Sequence, residues 1–506
     1  MKKYTIITLL FLTNTVVQAF DMINTTVLTS ITPQTSPCPY RNIIWNNLKD
    51  VLAIEGCKVI STKSAYFVRD AKILTADNNL LRTSIMMTEE IGEKVFDRLY
   101  AREKFLKNNH AMIASQNLSF KDQRQGMGIA SKHYYKTADG LSQSSHKSYY
   151  DNHGLCTSHL NSHTRYSRSY LEGGNIIHAV NNEGKTKIFI AQDTLILTHQ
   201  LLRLTNFFGE PNKQDTPSHD EEVFFMGTFY KLSDQINIQY KSGEVLTEVI
   251  RLGEEQNLTD DQIIELAKEL NAMGLIAKYK PNIIDENLRQ IVIKYVGQLE
   301  YIKQILWPYE FAIDKKDIVI LPQAAYHLDV FMNPGLAGNI FLQDFASIEN
   351  FLKNIMTKEK LSHNDLLFVK DYIDTSKKLA NDFKNIYENI ENLLTGAGFN
   401  IIKTPGAFYS DIKNNTAINF MNALIGYSEK NNYPYYVCLG AQVGDNLGVL
   451  IMDEFKLFMQ QHVDNLVIHF VGNNDKDFTA AMFMHNEKFA GVHCLTYELE
   501  RHKVNF

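Results

Sequence analysis

The sequence predicts an α/β protein built from five repeated units around a common axis, a five-bladed α/β propeller with helical insertions. The prediction rests on a recurring order of elements and on a polar cluster at the same place in each repeat. In each unit a helical stretch leads to a short apolar strand, a loop and a second strand. Helices are assigned from apolar residues three and four apart, and strands from short β-branched runs.

Four copies of this order are regular and one is not. The regular copies span residues 42–77, 301–335, 386–428 and 454–499. The less regular copy is centred on residues 168–180, which read RSYLEGGNIIHAV. Repetition of one supersecondary unit is the sequence sign of an architecture that repeats the unit in space. We therefore expect five similar units.

A polar cluster falls at or near the start of the second strand of every copy. In chain order, the cluster members are Asp70, Glu172, His327 with Asp329, Asn422 and Cys494. Burying polar residues costs free energy unless they have partners or a task, so a shared position needs a reason. If the copies surround an axis, the clusters converge at one end of it. The sequence predicts a functional site there.

The first residues predict export. Lys2 and Lys3 precede an apolar run, and small residues around Ala19 form a cleavage site, which together are typical of a secretory signal peptide. A buried N-terminal strand is the alternative, and it fits the two lysines poorly. No other stretch reaches the roughly 18 apolar residues of a membrane span. We expect a secreted or periplasmic protein with no membrane span after signal removal.

The domain organisation follows from these assignments. A signal peptide at residues 1–19 precedes an extended lead-in at 20–38 that contains Thr, Ser and Pro. Residues 39–506 are predicted to form a single α/β-propeller domain. Two long helical stretches, at about 254–310 and 346–395, have no counterpart in the other copies and are predicted insertions.

Charge and cysteine content narrow the class of protein. The net charge is −6 with a pI near 6.3, so no basic surface for nucleic acid is indicated. Five cysteines in an oxidising compartment leave at least one thiol unpaired. No cysteine pair has CxxC spacing, and the histidines of the loop-like stretch 105–168 match no ligand spacing. We expect no metal and no cofactor.

The polar residue types fit one kind of chemistry. A cysteine thiolate with a base nearby is a strong nucleophile, and histidine transfers protons near neutral pH. Asp70 and Asp329 would bring two negative charges into the site unless the substrate is a cation, and carboxylates pair with a planar guanidinium. With Cys494 and His327, they fit attack on a guanidinium carbon better than acyl transfer by a protease. The alternative for Cys494 is an inert core thiol.

The segments that carry these residues resemble a known superfamily. FVRD, EGGN, YHLD, the asparagine of NFMNAL and GVHC occur here in the order seen in guanidino-group-modifying enzymes, which have the pentein fold. That superfamily includes arginine, agmatine and peptidylarginine deiminases, dimethylargininases and amidinotransferases. The VHC segment is most similar to the agmatine and peptidylarginine deiminase versions. The resemblance covers residue 40 to the C-terminus, apart from the helical insertions.

The resemblance implies a role for each matched residue. Cys494 attacks the guanidinium carbon and forms a covalent intermediate, while His327 protonates the departing amine and then activates water. Asp70 and Asp329 hold the guanidinium nitrogens. Glu172 orients His327. The activity implied is that of a hydrolase acting on the C–N bonds of amidines.

The sequence determines the substrate less closely than it determines the reaction. The resemblance to peptidylarginine deiminases implies that Asn422 lies near the site, which makes it a candidate for substrate binding. Arg165 and Arg168, just ahead of EGG, are candidates for a substrate carboxylate or simply face solvent. Export favours an arginine-containing peptide or protein as the partner. The alternatives are a small-molecule arginine or agmatine deiminase, an amidinotransferase, and an inactive pentein-fold binding protein.

Overall fold

The structure is a computed structural model of the chain, and it describes most of the residues after position 163. The described residues are 19–23, 26–30, 39–62, 72–74, 80–83, 164–167, 169, 173–204, 207–208, 222–225, 228–231, 242–276, 284–324, 327–336, 338–407, 418–441, 443, 445–472, 481, 491–498 and 501–505.

Strands are short throughout the described residues. They are β1 (Ala19–Ile23), β2 (Thr26–Ser30), β3 (Lys58–Thr62), β4 (Lys72–Leu74), β5 (Leu80–Thr83), β6 (Thr164–Ser167), β7 (Ile176–Val180), β8 (Thr186–Ala191), β9 (Glu222–Phe225), β10 (Thr228–Lys231), β11 (Ile318–Leu321), β12 (Met332–Pro334), β13 (Asn339–Asp344), β14 (Asn400–Pro405), β15 (Leu424–Ser428), β16 (Tyr433–Leu439), β17 (Val467–Val471), β18 (Thr496–Glu498) and β19 (Arg501–Asn505).

Helices separate many of these strands. They are α1 (Pro39–Ile54), α2 (Gln192–Leu204), α3 (Ser242–Glu254), α4 (Asp260–Ala272), α5 (Glu286–Tyr301), α6 (Trp307–Phe311), α7 (Ile348–Lys358), α8 (His363–Asp382), α9 (Lys384–Gly396), α10 (Asp445–His462) and α11 (Val492–Leu495). No helix among the described residues is both long and apolar enough to cross a membrane.

In the part of the chain that the structure describes, the strands form small sheets and none of these is closed, so the protein is of the mixed α/β class. Within the described residues, five sheets have three strands each and share one plan. The first strand runs antiparallel to the middle strand, and the middle strand runs parallel to the last. These sheets are β4-β5-β6, β7-β8-β11, β12-β13-β14, β15-β16-β17 and β18-β2-β3. A parallel neighbour requires a crossover connection, which helices such as α2 and α10 supply.

The sheets divide the chain differently from the sequence repeats. The two strands assigned to one sequence copy, for example β11 and β12, belong to neighbouring sheets rather than to one sheet. Apolar periodicity indicates which residues form a strand but not which strand it pairs with. The polar clusters consequently fall in the connections between the last strand of one sheet and the first strand of the next. In chain position this holds for all five clusters.

Aromatic and aliphatic residues fill a large core between the middle sheets and the helices that cover them. Phe341 of β13 and Tyr436 of β16 are buried there, together with Phe455 of α10. Each such side chain contributes about 1.5–3 kcal/mol by leaving water. The short strands are therefore fixed by their packing, and the turns that follow them start from rigid positions.

Residues in the range of the first predicted insertion form α4, α5, α6 and a π-helical turn at Ile302–Leu306. Thr259 is the N-cap of α4 and makes a capping box with Gln262. Helices α3 and α5 cross closely at Gly253 and Gly297, where an added Cβ would overlap a backbone carbonyl of the other helix.

These helices also anchor the segment ahead of the EGG motif. The indole Nε1 of Trp307 donates to Ser169 Oγ at 3.0 Å, and Ser169 Oγ donates to Glu310 Oε2 at 2.6 Å. All three side chains are buried. The π-helical turn lies immediately before Trp307, so it sets the helical register in which Trp307 and Glu310 meet Ser169.

Candidate functional site

His327 and Asp329 lie in the connection between β11 and β12. The backbone of His327 is extended, and a single 3-10 turn, Leu328–Val330, follows it. Both side chains are buried, and the imidazole Nδ1 of His327 lies 3.9 Å from Oδ1 of Asp329. That distance is an ion-pair contact and too long for a hydrogen bond.

His493 approaches the same carboxylate from the connection between β17 and β18. Its Nδ1 lies 2.7 Å from Oδ2 of Asp329, and only 7% and 1% of the two side chains are exposed. His493 belongs to α11, the single turn whose backbone also includes Cys494. Asp329 therefore lies between two imidazoles, one from each of two inter-sheet connections.

Asn422, from the connection between β14 and β15, supports that helical turn through its backbone. Its carbonyl oxygen accepts from the N–H of Val492 at 3.0 Å and of His493 at 3.4 Å. A Cβ at Gly491 would lie 2.6 Å from the same carbonyl oxygen, so only glycine permits this approach. The candidate substrate-binding residue thus has an observed contact with the backbone of α11.

Two buried asparagines tie the His327 turn to the Asn422 turn. Asn333 donates to the carbonyl oxygens of Met421 at 2.8 Å and Ala423 at 2.7 Å. Asn419 donates from Nδ2 to the carbonyl oxygen of Val330 at 2.8 Å. Buried amides that satisfy backbone carbonyls in this way hold irregular chain in one conformation.

The EGG turn contacts the site through Gly174, which lies in a 3-10 turn at Gly173–Asn175. The imidazole of His327 packs against its backbone so closely that a Cβ at this position would overlap Nδ1. Gln323 links the same turn to α2, because its amide donates to Asn175 Oδ1 at 3.2 Å and accepts from the Asp193 N–H at 2.9 Å. The described parts of four inter-sheet connections thus meet around His327 and Asp329.

The electrostatics of this junction suit a cationic ligand. An ionised carboxylate away from water requires a compensating partner, either a hydrogen-bond donor or a positive charge. Asp329 receives one donor from His493, and a cation beside it would be attracted in a low-dielectric setting. Such a site can bind a planar cation and can transfer protons through His327.

The described cysteines other than Cys494 are poor nucleophiles. Burial raises the pKa of the Cys438 thiol well above its usual 9.0. Burial also raises the pKa of Cys57, although a contact of 3.3 Å between Sγ and the Tyr435 hydroxyl opposes the rise. Both are free thiols and buried, so both remain protonated near neutral pH.

Several predicted site residues are not placed by the structure. Asp70, Arg168 and Glu172 lie outside the described residues. Arg165 lies in β6, the strand that precedes the EGG turn, and its side chain is not described. Cys494 is placed by its backbone in α11, without its side chain. The roles of these five residues stay predictions.

Some residues of the junction were given no role from the sequence. They are His493, Asn333 and Asn419. A usable signal existed for Asn333, which is a lone amide in an apolar segment. The triplet Phe-Met-Asn also occurs twice, at residues 331–333 and 420–422, in segments that the structure brings together.

Metal binding has no support in the part of the chain that the structure describes. No group of three or more His, Cys, Asp or Glu side chains there is arranged to hold an ion.

Comparison with known proteins gives one distant similarity. No protein-family model matches the chain, and no curated protein matches it. Among solved structures, the chain is similar to an agmatine deiminase from C. jejuni, a Cys-to-Ser variant with substrate bound. The TM-score is 0.33 and the identity 10%, over 94% of this chain and 93% of that chain. A likeness this distant identifies neither the fold nor the activity of this chain.

Proposed function

We propose that this protein is a pentein-type deiminase that hydrolyses the guanidino group of arginine to citrulline and ammonia. One observation carries the proposal: the buried Asp329 carboxylate contacts both His327 and His493, and His493 lies next to Cys494. A carboxylate, an acid-base imidazole and a thiol are the groups that attack on a bound guanidinium requires.

The fold proposed with it is a propeller of five units around one axis. It is supported by the five three-stranded sheets that share one plan, and by the position of every polar cluster between consecutive sheets. In that arrangement the inter-sheet connections converge at one end of the axis. Asp70 would then join His327, Asp329 and Cys494 from the connection between β3 and β4.

The reaction has two halves that balance. The Cys494 thiolate adds to the guanidinium carbon, and the tetrahedral adduct loses one nitrogen as ammonia after His327 donates a proton to it. The product of this half is an amidino thioether on Cys494. His327 then takes a proton from water, the hydroxide adds to the same carbon, and the C–S bond breaks to release citrulline and the thiol.

Asp329 and Asp70 hold the cation during both halves. Their charges compensate the guanidinium and orient its plane toward the sulfur, which converts binding energy into correct geometry. Glu172 orients His327 in this proposal, and Gly174 lets the His327 ring approach the EGG turn closely. Loss of one carboxylate partner of a desolvated charge pair costs about 2–5 kcal/mol.

The proposed substrate is arginine within a peptide or protein. It rests on the predicted signal peptide, since an exported enzyme does not meet cytosolic arginine and agmatine. Arg165, Arg168 and Asn422 are the candidates to contact the rest of the substrate. We likewise propose that the mature protein is secreted or periplasmic and begins at Phe20.

The test offers the mature protein four substrates: free arginine, agmatine, a peptide with a blocked internal arginine, and a peptide ending in arginine. Citrulline-type product and ammonia are measured for each. We expect turnover of the blocked peptide and little of agmatine, with all activity abolished in Cys494→Ala while the melting temperature stays nearly unchanged. Activity in Cys494→Ala would remove the proposal.

Other outcomes identify the other functions. Fast turnover of agmatine with none of peptides would contradict the peptide substrate and indicate a small-molecule deiminase. Transfer of the amidino group to an added amine, without ammonia, would indicate an amidinotransferase. No product from any substrate, with Cys494 unreactive to a haloacetamidine, would indicate a binding protein.

A further inference from the structure

The imidazole of His493 joins the turn that carries Cys494 to the carboxylate of Asp329. Nδ1 and Oδ2 are 2.7 Å apart, in the range of a charge-assisted hydrogen bond. A carboxylate can only accept, so with Asp329 ionised the proton of this bond belongs to Nδ1 of His493. The hydrogen bond favours the ionised carboxylate and restricts its rotation.

The backbones at both ends of this bond are fixed independently of it. On one side, Asn422 holds the N–H groups of Val492 and His493 through its carbonyl oxygen. On the other side, Asn419 holds the carbonyl oxygen of Val330, which directly follows Asp329. The side-chain bond therefore adds little to holding the two turns together, and its main effect is on the carboxylate itself.

We propose that His493 is a positioning residue: its Nδ1–H keeps the Asp329 carboxylate ionised and aimed at the cationic group that reacts with Cys494. This rests on the proposed function and deepens it, because it names the group that sets the preference of the site for a cation. His493 itself contacts no reacting atom in this proposal. His327 remains the acid-base group.

A chemical preference of Cys494 follows. A cationic electrophile that resembles a guanidinium, such as 2-chloroacetamidine, gains from an oriented carboxylate beside the thiol. A neutral electrophile of similar size, such as iodoacetamide, does not gain from it. We define the alkylation ratio as the rate with 2-chloroacetamidine divided by the rate with iodoacetamide. This ratio reports on Asp329 without any need for turnover.

The experiment measures both alkylation rates of Cys494 in the full mature chain. The substitutions at His493 differ in whether they keep a hydrogen-bond donor at the place of Nδ1. In His493→Asn the amide nitrogen can take the place of Nδ1, whereas His493→Leu keeps the bulk and removes the donor. His493→Leu should lower the alkylation ratio by about tenfold or more, toward the ratio of Asp329→Asn. A tenfold change corresponds to the loss of about one charged hydrogen bond. His493→Asn should retain the ratio within about threefold.

His469 provides the matched control. Its Nε2 lies 2.6 Å from Oε1 of the buried Glu55, so His469→Leu also breaks a bond between a histidine and a buried carboxylate. That variant should melt at a lower temperature and keep the wild-type ratio. If His493→Leu does not fold, His493→Gln replaces it, because its amide nitrogen extends beyond the place of Nδ1. A wild-type ratio in His493→Leu or His493→Gln, or an equal loss in His469→Leu, would overturn the inference.

Turnover separates this inference from the proposed function. If the wild type deiminates arginine and His493→Leu leaves kcat and KM unchanged, the positioning role fails and the function stands. If the wild type turns over no guanidino compound while His493→Leu, but not His493→Asn, lowers the alkylation ratio, the function fails and the positioning role stands. An imidazole N–H proton resonance that is lost in Asp329→Asn and kept in Cys494→Ala would support the same bond independently.

Discussion

In the part of the chain that the structure describes, Asp329 and Glu55 are two buried carboxylates that each contact a histidine closely and that differ in their surroundings. His493 contacts Asp329 at 2.7 Å through Nδ1, and His469 contacts Glu55 at 2.6 Å through Nε2. Both carboxylate side chains are at most 1% exposed. Distance and burial therefore do not distinguish a functional pair from a structural one.

The surroundings of Glu55 are those of a structural pair. Glu55 directly follows α1, and its carboxylate also accepts from the Tyr433 hydroxyl at 3.2 Å and from the Asn431 amide at 3.4 Å. Asn431 also donates to the carbonyl oxygen of Ile54, at the end of the helix. These bonds join α1 to the sheet β15-β16-β17. The negative charge is matched by donors of the protein on both oxygens.

Asp329 lies instead where inter-sheet connections meet. Its neighbours are a second histidine at ion-pair distance and the turn that carries Cys494. Both carboxylates have a histidine partner, so the difference lies in the other neighbours. At Asp329 these are a second imidazole and the turn that includes Cys494, which suit a reacting site. Hydrogen bonds from a hydroxyl and an amide indicate stability instead.

The largest effect that would test the comparison is on activity. Asp329→Asn should lower kcat/KM by at least about 100-fold, because the cation loses its charge partner. Glu55→Gln should leave kcat/KM of the folded protein unchanged and lower the free energy of unfolding by about 3 kcal/mol, since it breaks a buried pair. Steady-state kinetics and urea unfolding of both variants give the two numbers. Equal losses of activity would show that the pairs are not different in kind.

A smaller effect concerns the glycine beneath His327. Gly174→Ala places a methyl group where the His327 ring lies, so the ring must move and kcat should fall by about tenfold. Gly396→Ala is the control, because an added Cβ at the end of α9 meets nothing within 4 Å. It should leave activity unchanged and stabilise the protein by about 0.5–1 kcal/mol. A fully active Gly174→Ala protein would contradict the placement of His327 in the reaction.

The smallest effect is on the pH dependence of stability, and it comes from two buried thiols, of which Cys57 lies two residues from Glu55. Burial raises the pKa of Cys57 and Cys438 above 9.0 in the folded protein, so the folded state keeps protons that the unfolded chain releases. The stabilisation is complete below the unfolded thiol pKa and is lost as pH rises toward the folded pKa. Unfolding in urea between pH 7 and 10 should show this loss, and Cys438→Ala should reduce its slope. A steeper slope in Cys438→Ala would contradict the raised pKa.

The sequence predicted element types better than it predicted their pairing. The short β-branched runs and the capped helix at Thr259 were recognisable because local spacing and capping chemistry determine them. That β11 and β12 belong to different sheets was not recognisable, because strand pairing depends on contacts distant in sequence. Propensity and periodicity carry no information about such contacts.

For the site, residue type and order predicted His327 and Asp329 as candidates, and the structure brings them together. Their roles remain proposals. The bond between His493 and Asp329 spans two inter-sheet connections, and no spacing along the chain encodes it. Asn333 and Asn419 act through backbone carbonyls, which every residue has, so their partners have no sequence signature either.

The pairing of β18 with β2 has a consequence for folding. Thr496 pairs with Thr29 and Glu498 with Val27, so the strand that directly follows Cys494 is held by residues more than 450 positions earlier. Closing so long a loop costs chain entropy before the contacts compensate it, which makes this sheet a late event in folding. A chain that is still unfolded has Cys494 but lacks the contacts that assemble the junction around it. In the proposed enzyme, reactivity toward arginine would therefore be withheld from the cell that makes the chain until folding is complete.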